Sequence, residues 1–318
     1  MRVLQYDRYG GPEVLHVAEA EQPLPGPRDV LIRVHVASVG WGDCKLRNGV
    51  LQDFYRIELP KIPGRYGCGT IEAIGGDVKN LCVGQGVAFA TLHTESGSAA
   101  EYVCLDSGRL AAKPDNMTFL EAGSMLQGAV SAYACLVQTA DARPGQKVLV
   151  HGGAGSVGSA CVELAKHLGC RTTAICRTTD EQYVQSLGAD QTIAFDQADF
   201  SKCVKDQDVV VDLLGGEIYR KSFDVLKAGG KLVYLNAEPV AGDVPPHITV
   251  LAAKVANDGQ LLSSVCRLAE REVFSAKIGV VVPLADGERA HQLLENRTVH
   301  RGRIVLSVSS IDSARKRT

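Results

Sequence analysis

The sequence is poor in aromatic side chains and carries almost no net charge. Of its 318 residues only 5% are Phe, Tyr or Trp, and 34 basic side chains balance 36 acidic ones, for a net charge of −2. This balance gives no basis for predicting nucleic acid or an anionic membrane as a partner. No uncharged apolar run reaches 18 residues, so no transmembrane helix is predicted. The apolar content of 45% argues against disorder, and the length favours two domains.

The ten cysteines lack the spacing of a metal site. No two of them lie closer than six residues apart, so the CxxC pattern of structural zinc sites is absent. Residues 1–7 also lack the apolar run of a secretory signal peptide. Scattered thiols in such a chain are typical of a reduced compartment, where most of them act as small buried hydrophobes. We therefore expect a cytoplasmic protein.

The N-terminal third has the pattern of a β-rich domain. Residues 29–39 alternate apolar and polar side chains and are rich in β-branched residues, which predicts a strand. Glycine and proline recur around this segment and indicate frequent turns, as in a small barrel or sandwich. The pattern changes near residue 115. Thr118 and Glu121 have the spacing of a capping box, which predicts a helix over residues 118–139.

From residue 147 onward, strand and helix patterns alternate. Strands are predicted over residues 147–151, 171–176, 208–214 and 231–235, and helices over residues 156–168, 179–187 and 217–227. This alternation predicts a doubly wound parallel sheet of the α/β class. After a helix over residues 260–271, strands are predicted over residues 278–282 and 302–308, and the last is expected to return to the first domain. The expected division is residues 1–115, 116–259 and 260–318, with the third segment rejoining the first.

A glycine motif directly follows the strand predicted over residues 147–151. Gly153, Gly155 and Gly158 fit the pattern GxGxxG, with Ser156 and Val157 between them, and a predicted helix begins there. Glycine at these positions lets the backbone approach a pyrophosphate, to which the helix N-terminus offers N–H groups. We interpret the motif as a dinucleotide-binding loop. The alternative is a tight strand-to-helix turn that holds no ligand.

The end of the next predicted strand bears on the choice of dinucleotide. An NAD site places Asp or Glu there to bind the ribose 2′-hydroxyl, but this chain has Arg177, and Asp180 and Glu181 fall in the next helix. A guanidinium pairs with a 2′-phosphate, which a carboxylate would repel. The sequence therefore favours NADPH as cofactor. The alternative for Arg177 is a solvated residue at the helix cap.

A series of short motifs then covers nearly the whole chain in order: residues 9–15, 27–34, 63–69, 100–103, 131–133, 151–158, 187–190, 211–216, 290–295 and 302–306. With these motifs the chain resembles the medium-chain dehydrogenase/reductase superfamily, in its zinc-independent quinone oxidoreductase (zeta-crystallin-like) branch. The resemblance implies a Rossmann doubly wound parallel sheet inserted into a GroES-like β-barrel domain, with NADPH between them. It also implies that Ser131 and Arg303 bind the cofactor, and that the protein forms a homodimer or homotetramer.

The chain departs from the zinc-dependent members of this superfamily. The resemblance places their first zinc ligand near Gly40 and their His-Glu pair at Arg65 and Tyr66, and neither a guanidinium nor a phenol is a normal zinc ligand. Cys44 is near the first position but stands alone, and it is interpreted as a buried core residue. We expect no metal. The quinone oxidoreductase branch usually has Asn at Gly40, an acidic residue at Tyr66 and Tyr at Phe195.

Without zinc, other groups must support the reaction. Hydride addition to a quinone or an α,β-unsaturated carbonyl develops negative charge on oxygen, which hydrogen-bond donors stabilise and a proton then neutralises. The candidate donors are Tyr66, Tyr55, Arg65, Arg47 and Tyr133. Tyr66 is the first choice because relatives place cleft residues at its position and because a phenol is a weak acid.

Other polar residues are interpreted as structural. Asp43 and Arg47 have the i, i+4 spacing of an ion pair on one helical turn. His35, His93 and His151 show no ligand spacing and are interpreted as structural or surface residues.

The primary functional hypothesis is an NADPH-dependent oxidoreductase that reduces quinones or enones. The expected substrate is a small molecule, and neither nucleic acid nor a membrane is expected as a partner. The alternative is a structural or regulatory protein that binds NADPH with little turnover, which the departures at Gly40, Arg65, Tyr66 and Phe195 keep open. A conventional alcohol dehydrogenase would need the zinc ligands that the sequence lacks.

Overall fold

The computed structural model describes residues 1–235, 244–256 and 258–309. The chain divides into two compact units. The first contains residues 1–126 and the described part of residues 257–318, and the second contains the described part of residues 127–256. Both ends of the chain thus contribute to the first unit.

The strands of the described residues are, in chain order, β1 (Arg2–Gln5), β2 (His16–Glu19), β3 (Asp29–Ser38), β4 (Tyr66–Ile74), β5 (Gly86–Ala90), β6 (Tyr102–Asp106), β7 (Leu110–Ala112), β8 (Lys147–His151), β9 (Arg171–Cys176), β10 (Gln191–Ala194), β11 (Gln207–Asp212), β12 (Leu226–Tyr234), β13 (Thr249–Ala252), β14 (Ile278–Pro283) and β15 (Arg303–Ser307).

The α-helices of the same residues are α1 (Trp41–Arg47), α2 (Phe119–Tyr133), α3 (Ser156–His167), α4 (Glu181–Ser186), α5 (Phe200–Cys203), α6 (Glu217–Lys221), α7 (Gly259–Glu270) and α8 (Gly287–Glu295). Short 3-10 segments lie at Pro12–Val14, Ser107–Arg109, Thr178–Asp180, Ser222–Val225 and Leu284–Asp286, and a π-helical turn lies at Ala134–Thr139.

The first unit is built on a seven-stranded sheet with the order β14-β15-β3-β4-β5-β7, and β6 pairs with β3 outside this path. β15 runs antiparallel to β3, with Val305 opposite Ser38. This pairing confirms that the last strand returns to the first domain. Ile32, Phe89 and Leu306 are among the residues that fill the core of the unit.

The second unit is built on a six-stranded sheet with the order β10-β9-β8-β11-β12-β13. All of its strand pairs are parallel, which confirms the predicted doubly wound sheet. Leu149, Val210 and Leu232 lie fully buried on neighbouring strands. Strands buried on both faces read as apolar runs, which is why the sequence shows them so clearly.

Several helix boundaries differ from the prediction. The capping box at α2 is confirmed, because Thr118 N–H donates to Glu121 Oε2 at 2.8 Å and Glu121 N–H donates to Thr118 Oγ1 at 3.2 Å. The predicted helix over residues 118–139, however, changes to a π-helical turn after Tyr133. The helix predicted over residues 217–227 was too long, because it ends in a 3-10 turn and β12 already begins at Leu226.

None of the helices in the described part of the chain has the length and apolar character needed to cross a bilayer.

Candidate functional site

The glycine motif of the second unit connects β8 to α3. Gly155 is the N-cap of α3, and its N–H donates to the Gly152 carbonyl oxygen at 3.0 Å. A Cβ on Gly158 would stand 2.0 Å from that same oxygen, so no side chain fits there. The nearest atom to a Cβ on Gly155 would be the same Gly152 oxygen, at 3.4 Å, which is an ordinary van der Waals contact. Gly158 therefore permits close packing of helix and strand, whereas Gly155 leaves open space at the helix start.

The open space at Gly155 fits a pyrophosphate. The first turn of α3 contributes backbone N–H groups that have no partner within the helix, together with the positive end of the helix dipole. Ser156, Val157 and Gly158 form this turn. A side chain at Gly155 would fill the space in front of these groups, so glycine there suits the close approach of a phosphate to the backbone.

Ser131 lies on the helix that packs against this loop. A Cβ on Gly128 would stand 2.4 Å from the Ser156 carbonyl oxygen, which shows how closely α2 approaches the start of α3. Ser131 follows Gly128 by three residues on the same side of α2 and is buried. The structure thus brings the Ser131 region and the glycine loop together.

Arg177 directly follows β9 and is exposed to solvent. Its guanidinium carbon lies 5.9 Å from the centre of the Phe195 ring, which is 57% exposed. The neighbouring carboxylate, Asp196, accepts hydrogen bonds from the Thr178 backbone N–H and from Thr178 Oγ1, each at 3.0 Å. These contacts, the backbone one above all, hold the pKa of Asp196 below its usual range.

Phe195 also lines an open groove of the second unit, together with His151, Gly152 and Leu214. This groove lies at the carboxyl ends of β8, β10 and β11. At β8 the strand order reverses: the chain continues to β9 and β10 on one side of β8 and then to β11 on its other side. Ligands of doubly wound sheets bind at this kind of switch point. The glycine loop, Arg177 and the groove therefore form one candidate nucleotide site within the second unit.

The three predicted catalytic residues come together in the first unit around His93. Arg65 Nη1 lies 2.6 Å from His93 Nε2, and the rings of Tyr55 and His93 meet edge to face at 5.0 Å. Tyr66 begins β4, is 2% exposed, and lies beneath the Arg65 guanidinium, whose carbon is 5.7 Å from the ring centre. Burial raises the pKa of the Tyr66 phenol, which Arg65 partly offsets.

His93, which the sequence analysis interpreted as structural or as part of the surface, lies at the centre of this group. A guanidinium only donates, so His93 Nε2 accepts and the neutral ring carries its proton on Nδ1. Burial, helped by the Arg65 and Lys61 charges, lowers the pKa of His93 to about 4. His93 is therefore neutral at pH 7.

Arg303 lies in the first unit, at the start of β15, and is buried. Its Nη1 donates to the Val39 carbonyl oxygen at 3.1 Å. Burial lowers the pKa of Arg303 to about 10, and the nearby Asp43 and Tyr66 act in the opposite direction. Arg303 thus shares its surroundings with the predicted catalytic residues.

The predicted pair of Asp43 and Arg47 was wrong. The Asp43 oxygens accept from the backbone N–H groups of Gly40 at 2.8 Å and Gly64 at 3.0 Å. Arg47 instead donates to Glu295 Oε1 at 2.6 Å and is almost fully buried. Asp43 caps the first turn of α1, whereas Arg47, in the last turn, contacts α8.

Arg47 is therefore a poor candidate donor for a substrate. Besides Glu295, its Nε donates to the Gly10 carbonyl oxygen at 3.1 Å, and its Nη1 lies 3.1 Å from His291 Nδ1. Cys44 Sγ lies 3.5 Å from the same nitrogen and is buried, which confirms its interpretation as a core residue. Tyr133, the remaining candidate, ends α2 in the second unit and is half-buried.

Among the residues that the structure describes, no three His, Cys, Asp or Glu side chains lie together in a group that could hold a metal ion.

Two protein families match this chain. Residues 26–140 match the alcohol dehydrogenase GroES-like domain, and residues 187–306 match a family described as zinc-binding dehydrogenase. A quinone oxidoreductase of Pseudomonas aeruginosa is 32% identical over 249 residues, which cover 75% of this chain and 75% of that protein.

An NADPH-dependent alkenal/one oxidoreductase of Arabidopsis thaliana, described as chloroplastic, is 33% identical over 247 residues. The match covers 74% of this chain, which spans only 62% of that relative's length. A crystal structure of an NAD-dependent alcohol dehydrogenase is similar with a TM-score of 0.89 at 28% identity, over 97% of this chain and 100% of that one.

The fold and these matches define a dehydrogenase/reductase chain built from a GroES-like unit and a Rossmann-type unit. The chain belongs to the medium-chain dehydrogenase/reductase superfamily.

Proposed function

We propose that this protein is an NADPH-dependent oxidoreductase that reduces quinones or α,β-unsaturated carbonyl compounds by hydride transfer without zinc. The observation that carries the proposal is the arrangement at the carboxyl ends of β8 and β9. The helix start at Gly155, which no side chain blocks, lies there beside β9, and Arg177 directly follows that strand. Family membership supports nicotinamide-dependent oxidoreduction as the chemistry of the chain.

Several residues of the second unit would hold the cofactor. The backbone at Gly153, Gly155, Ser156, Val157 and Gly158 would bind the pyrophosphate, because this turn presents N–H groups and the helix dipole. Ser131 would contact the cofactor from α2. Arg303 of the first unit is a further candidate on the basis of the family resemblance.

Arg177 would select NADPH over NADH. It is exposed, it follows β9 directly, and its guanidinium lies beside the exposed Phe195 ring. A guanidinium pairs with the two oxygens of a phosphate, whereas an NAD site has a carboxylate at this strand end. The name of the Arabidopsis relative, which specifies NADPH, supports the assignment.

NADPH, when bound, supplies a hydride. Negative charge then develops on the substrate carbonyl oxygen, and preorganised donors stabilise it. Arg65 is hydrogen-bonded to His93, and the Tyr55 ring packs against the His93 ring. The Tyr66 ring packs beneath the Arg65 guanidinium. We assign stabilisation of the oxyanion to Arg65 and Tyr55. The buried Tyr66 stays protonated through the physiological range, so we assign it the role of hydrogen-bond donor and proton source.

The hydrogen bond between Arg65 and His93 supports zinc independence. The family's zinc-dependent members have a metal-binding His at this position, and here a guanidinium donates to His93 instead. The cationic Arg65 also disfavours a second cation beside it. Electrostatic stabilisation of the oxyanion then comes from side chains of the protein.

The test is consumption of NADPH by the purified protein against a panel of quinones, enals and enones. Oxidation of NADPH with at least one of these classes, and faster than with NADH, supports the proposal. Tight NADPH binding without oxidation across the whole panel would instead favour the structural or regulatory protein. Calorimetric titration with NADPH and NADH, run in parallel, separates failure to bind from failure to react.

A further inference from the structure

His93 lies on a loop between β5 and β6 that runs from Thr91 to Ser98 and is called here the His93 loop. Both of its ends are bonded to the segment that contains Arg65. At the first end, the Thr91 backbone N–H donates to the Arg65 carbonyl oxygen at 2.8 Å. At the other end, Ser98 Oγ donates to the Tyr66 carbonyl oxygen at 2.9 Å. The two ends are therefore fixed on residues of the candidate catalytic group.

The middle of the His93 loop faces solvent. Leu92, Thr94 and Ser96 are exposed, so burial does not fix this part of the backbone. The Glu95 backbone N–H donates to the Leu92 carbonyl oxygen at 3.3 Å, and the Leu92 N–H donates to Glu95 Oε2, also at 3.3 Å. These two long hydrogen bonds close a turn around His93. The turn depends on the position of the Glu95 carboxylate.

Arg109 fixes the Glu95 carboxylate. Its Nη1 and Nη2 each donate to Glu95 Oε2 at 2.8 Å, and Nη1 also donates to Oε1 at 3.1 Å. The Arg109 side chain is only 17% exposed and directly precedes β7, where Leu110 pairs with Phe89 of β5. A well-exposed ion pair adds little, but a shielded guanidinium with several hydrogen bonds to one carboxylate is geometrically specific. The sheet of the first unit thus anchors the His93 loop through Arg109.

The ion pair acts on Arg65 through this turn. His93 Nε2 lies 2.6 Å from Arg65 Nη1, so a small movement of the loop is enough to break their hydrogen bond. Release of Glu95 would open the turn and let the imidazole move away from the guanidinium. Arg65 would then lose the acceptor that orients it.

We propose that Glu95 and Arg109 are positioning residues, and that their ion pair holds the His93 loop so that His93 orients Arg65 toward the substrate oxygen. The hold on His93 exists without any reaction, whereas its effect on catalysis rests on the proposed function. Neither Glu95 nor Arg109 is assigned a contact with the substrate. A small displacement of a preorganised donor lowers the rate, because stabilisation of an oxyanion depends on the distance and direction of that donor.

The first experiment observes His93 itself, by ¹⁵N NMR of the histidine rings in the purified protein, with His93→Gln to assign the signals. Between about pH 5 and 8 the wild-type ring should stay neutral with its proton on Nδ1, because burial and the Arg65 charge lower the pKa of His93 to about 4. In Arg109→Met we expect the proton to shift toward Nε2 and the ring to titrate within this range. The control is Arg2→Met, which breaks the exposed ion pair with Glu101 in the same unit and should leave the His93 signals unchanged.

The second experiment measures turnover of an enone with NADPH. The kcat should fall about 5- to 20-fold in Arg109→Met, while the KM for NADPH changes by less than about twofold, because the glycine loop and Arg177 are intact. Arg109→Lys, which keeps the charge, should recover part of the loss, and Arg2→Met should retain the wild-type kcat. Glu95→Gln should also lower kcat. The Glu95→Gln/Arg109→Met double variant should fall no more than about twofold below the lower single variant, since both changes remove one interaction.

The outcomes separate this proposal from the proposed function. Unchanged His93 signals in Arg109→Met would overturn the positioning role, whatever the kcat. Changed signals in a protein that reduces no quinone or enone would support the hold on His93 and contradict the proposed function. Changed signals with a wild-type kcat would overturn the link to catalysis. Losses of kcat that multiply in the double variant would show that Glu95 and Arg109 act separately, which would also overturn the proposal.

Discussion

The Arg65 guanidinium donates to His93 Nε2 at 2.6 Å, and this hydrogen bond occupies the lone pair through which the neutral imidazole would bind a metal. The other ring nitrogen carries the proton, so it offers no lone pair either. At the position where the family's zinc-dependent members have a zinc-binding histidine, this chain thus has Arg65, a hydrogen-bond donor. The nearby His93 is already hydrogen-bonded to Arg65. Under the proposed function, Arg65 and its neighbours stabilise the developing negative charge that a metal would otherwise stabilise.

Removal of metal should therefore leave the activity intact. We expect dialysis against EDTA, followed by an assay in chelator-treated buffer, to change kcat/KM for an enone by less than about twofold. Addition of zinc should not raise the rate. Loss of activity in EDTA with recovery on addition of zinc would contradict the account.

Replacement of Arg177 should reverse the cofactor preference. Arg177→Glu removes the partner of the 2′-phosphate and adds a repelling charge, so we expect the KM for NADPH to rise at least about tenfold and the KM for NADH to change little. The matched control is Arg171→Glu, at the opposite end of β9 from Arg177. In this variant the KM values for NADPH and NADH should both stay near those of the wild type. Equal rises for the two cofactors with Arg177→Glu would show that the residue does not contact the 2′-phosphate.

The two glycines of the loop should respond differently to the same substitution. Gly158→Ala places a Cβ 2.0 Å from the Gly152 oxygen, so the free energy of unfolding should fall by about 1–3 kcal/mol, as in overpacked sites. Gly155→Ala has room for its Cβ in the protein alone, so stability should hold while the Kd for NADPH rises about tenfold or more. Chemical denaturation measures the free energy of unfolding, and calorimetric titration measures the Kd for NADPH. NADPH binding unchanged in Gly155→Ala would contradict the assignment of the loop.

Acid should destabilise the protein through its buried histidines. Burial, with the Arg47 charge, lowers the pKa of His291 to about 3, and burial lowers that of His151 to about 4. Between pH 6.5 and these values the unfolded chain binds a proton that the folded chain does not. The free energy of unfolding should therefore fall as the pH decreases through this range, by up to about 1.4 kcal/mol per pH unit for each histidine.

Denaturation of a His291→Gln variant between pH 7 and 4 tests this dependence. Its stability should change less steeply with pH than that of the wild type, while His300→Gln, at an exposed position, should follow the wild type. Identical slopes for His291→Gln and the wild type would show that His291 does not titrate as its burial implies.

The fold of the second unit could be predicted because its strands are short apolar runs separated by helices. Residues 147–151 and 171–176 match β8 and β9 exactly as predicted. The prediction failed at β12, which begins at Leu226 and contains Gly229 with a φ of +77°. The sequence predicted a helix up to residue 227 and a strand only from residue 231, whereas the strand already runs through both glycines at positions 229 and 230.

The candidate site could be predicted only where its residues are close in sequence. The glycine loop and Arg177 form a local strand-helix-strand pattern, so their spacing carries information. His93 stands 28 residues from Arg65, and the two meet because β4 and β5 pair antiparallel, with Tyr66 opposite Ala90.

The most direct test of hydride transfer to an activated alkene is the fate of an isotope label. NADPH deuterated at C4 of the nicotinamide is mixed with the protein and an enone, and the product is examined by NMR and mass spectrometry. The account predicts one deuterium at the β-carbon of a saturated ketone. Deuterium on the carbonyl carbon of an allylic alcohol would mark an alcohol dehydrogenase reaction and contradict it.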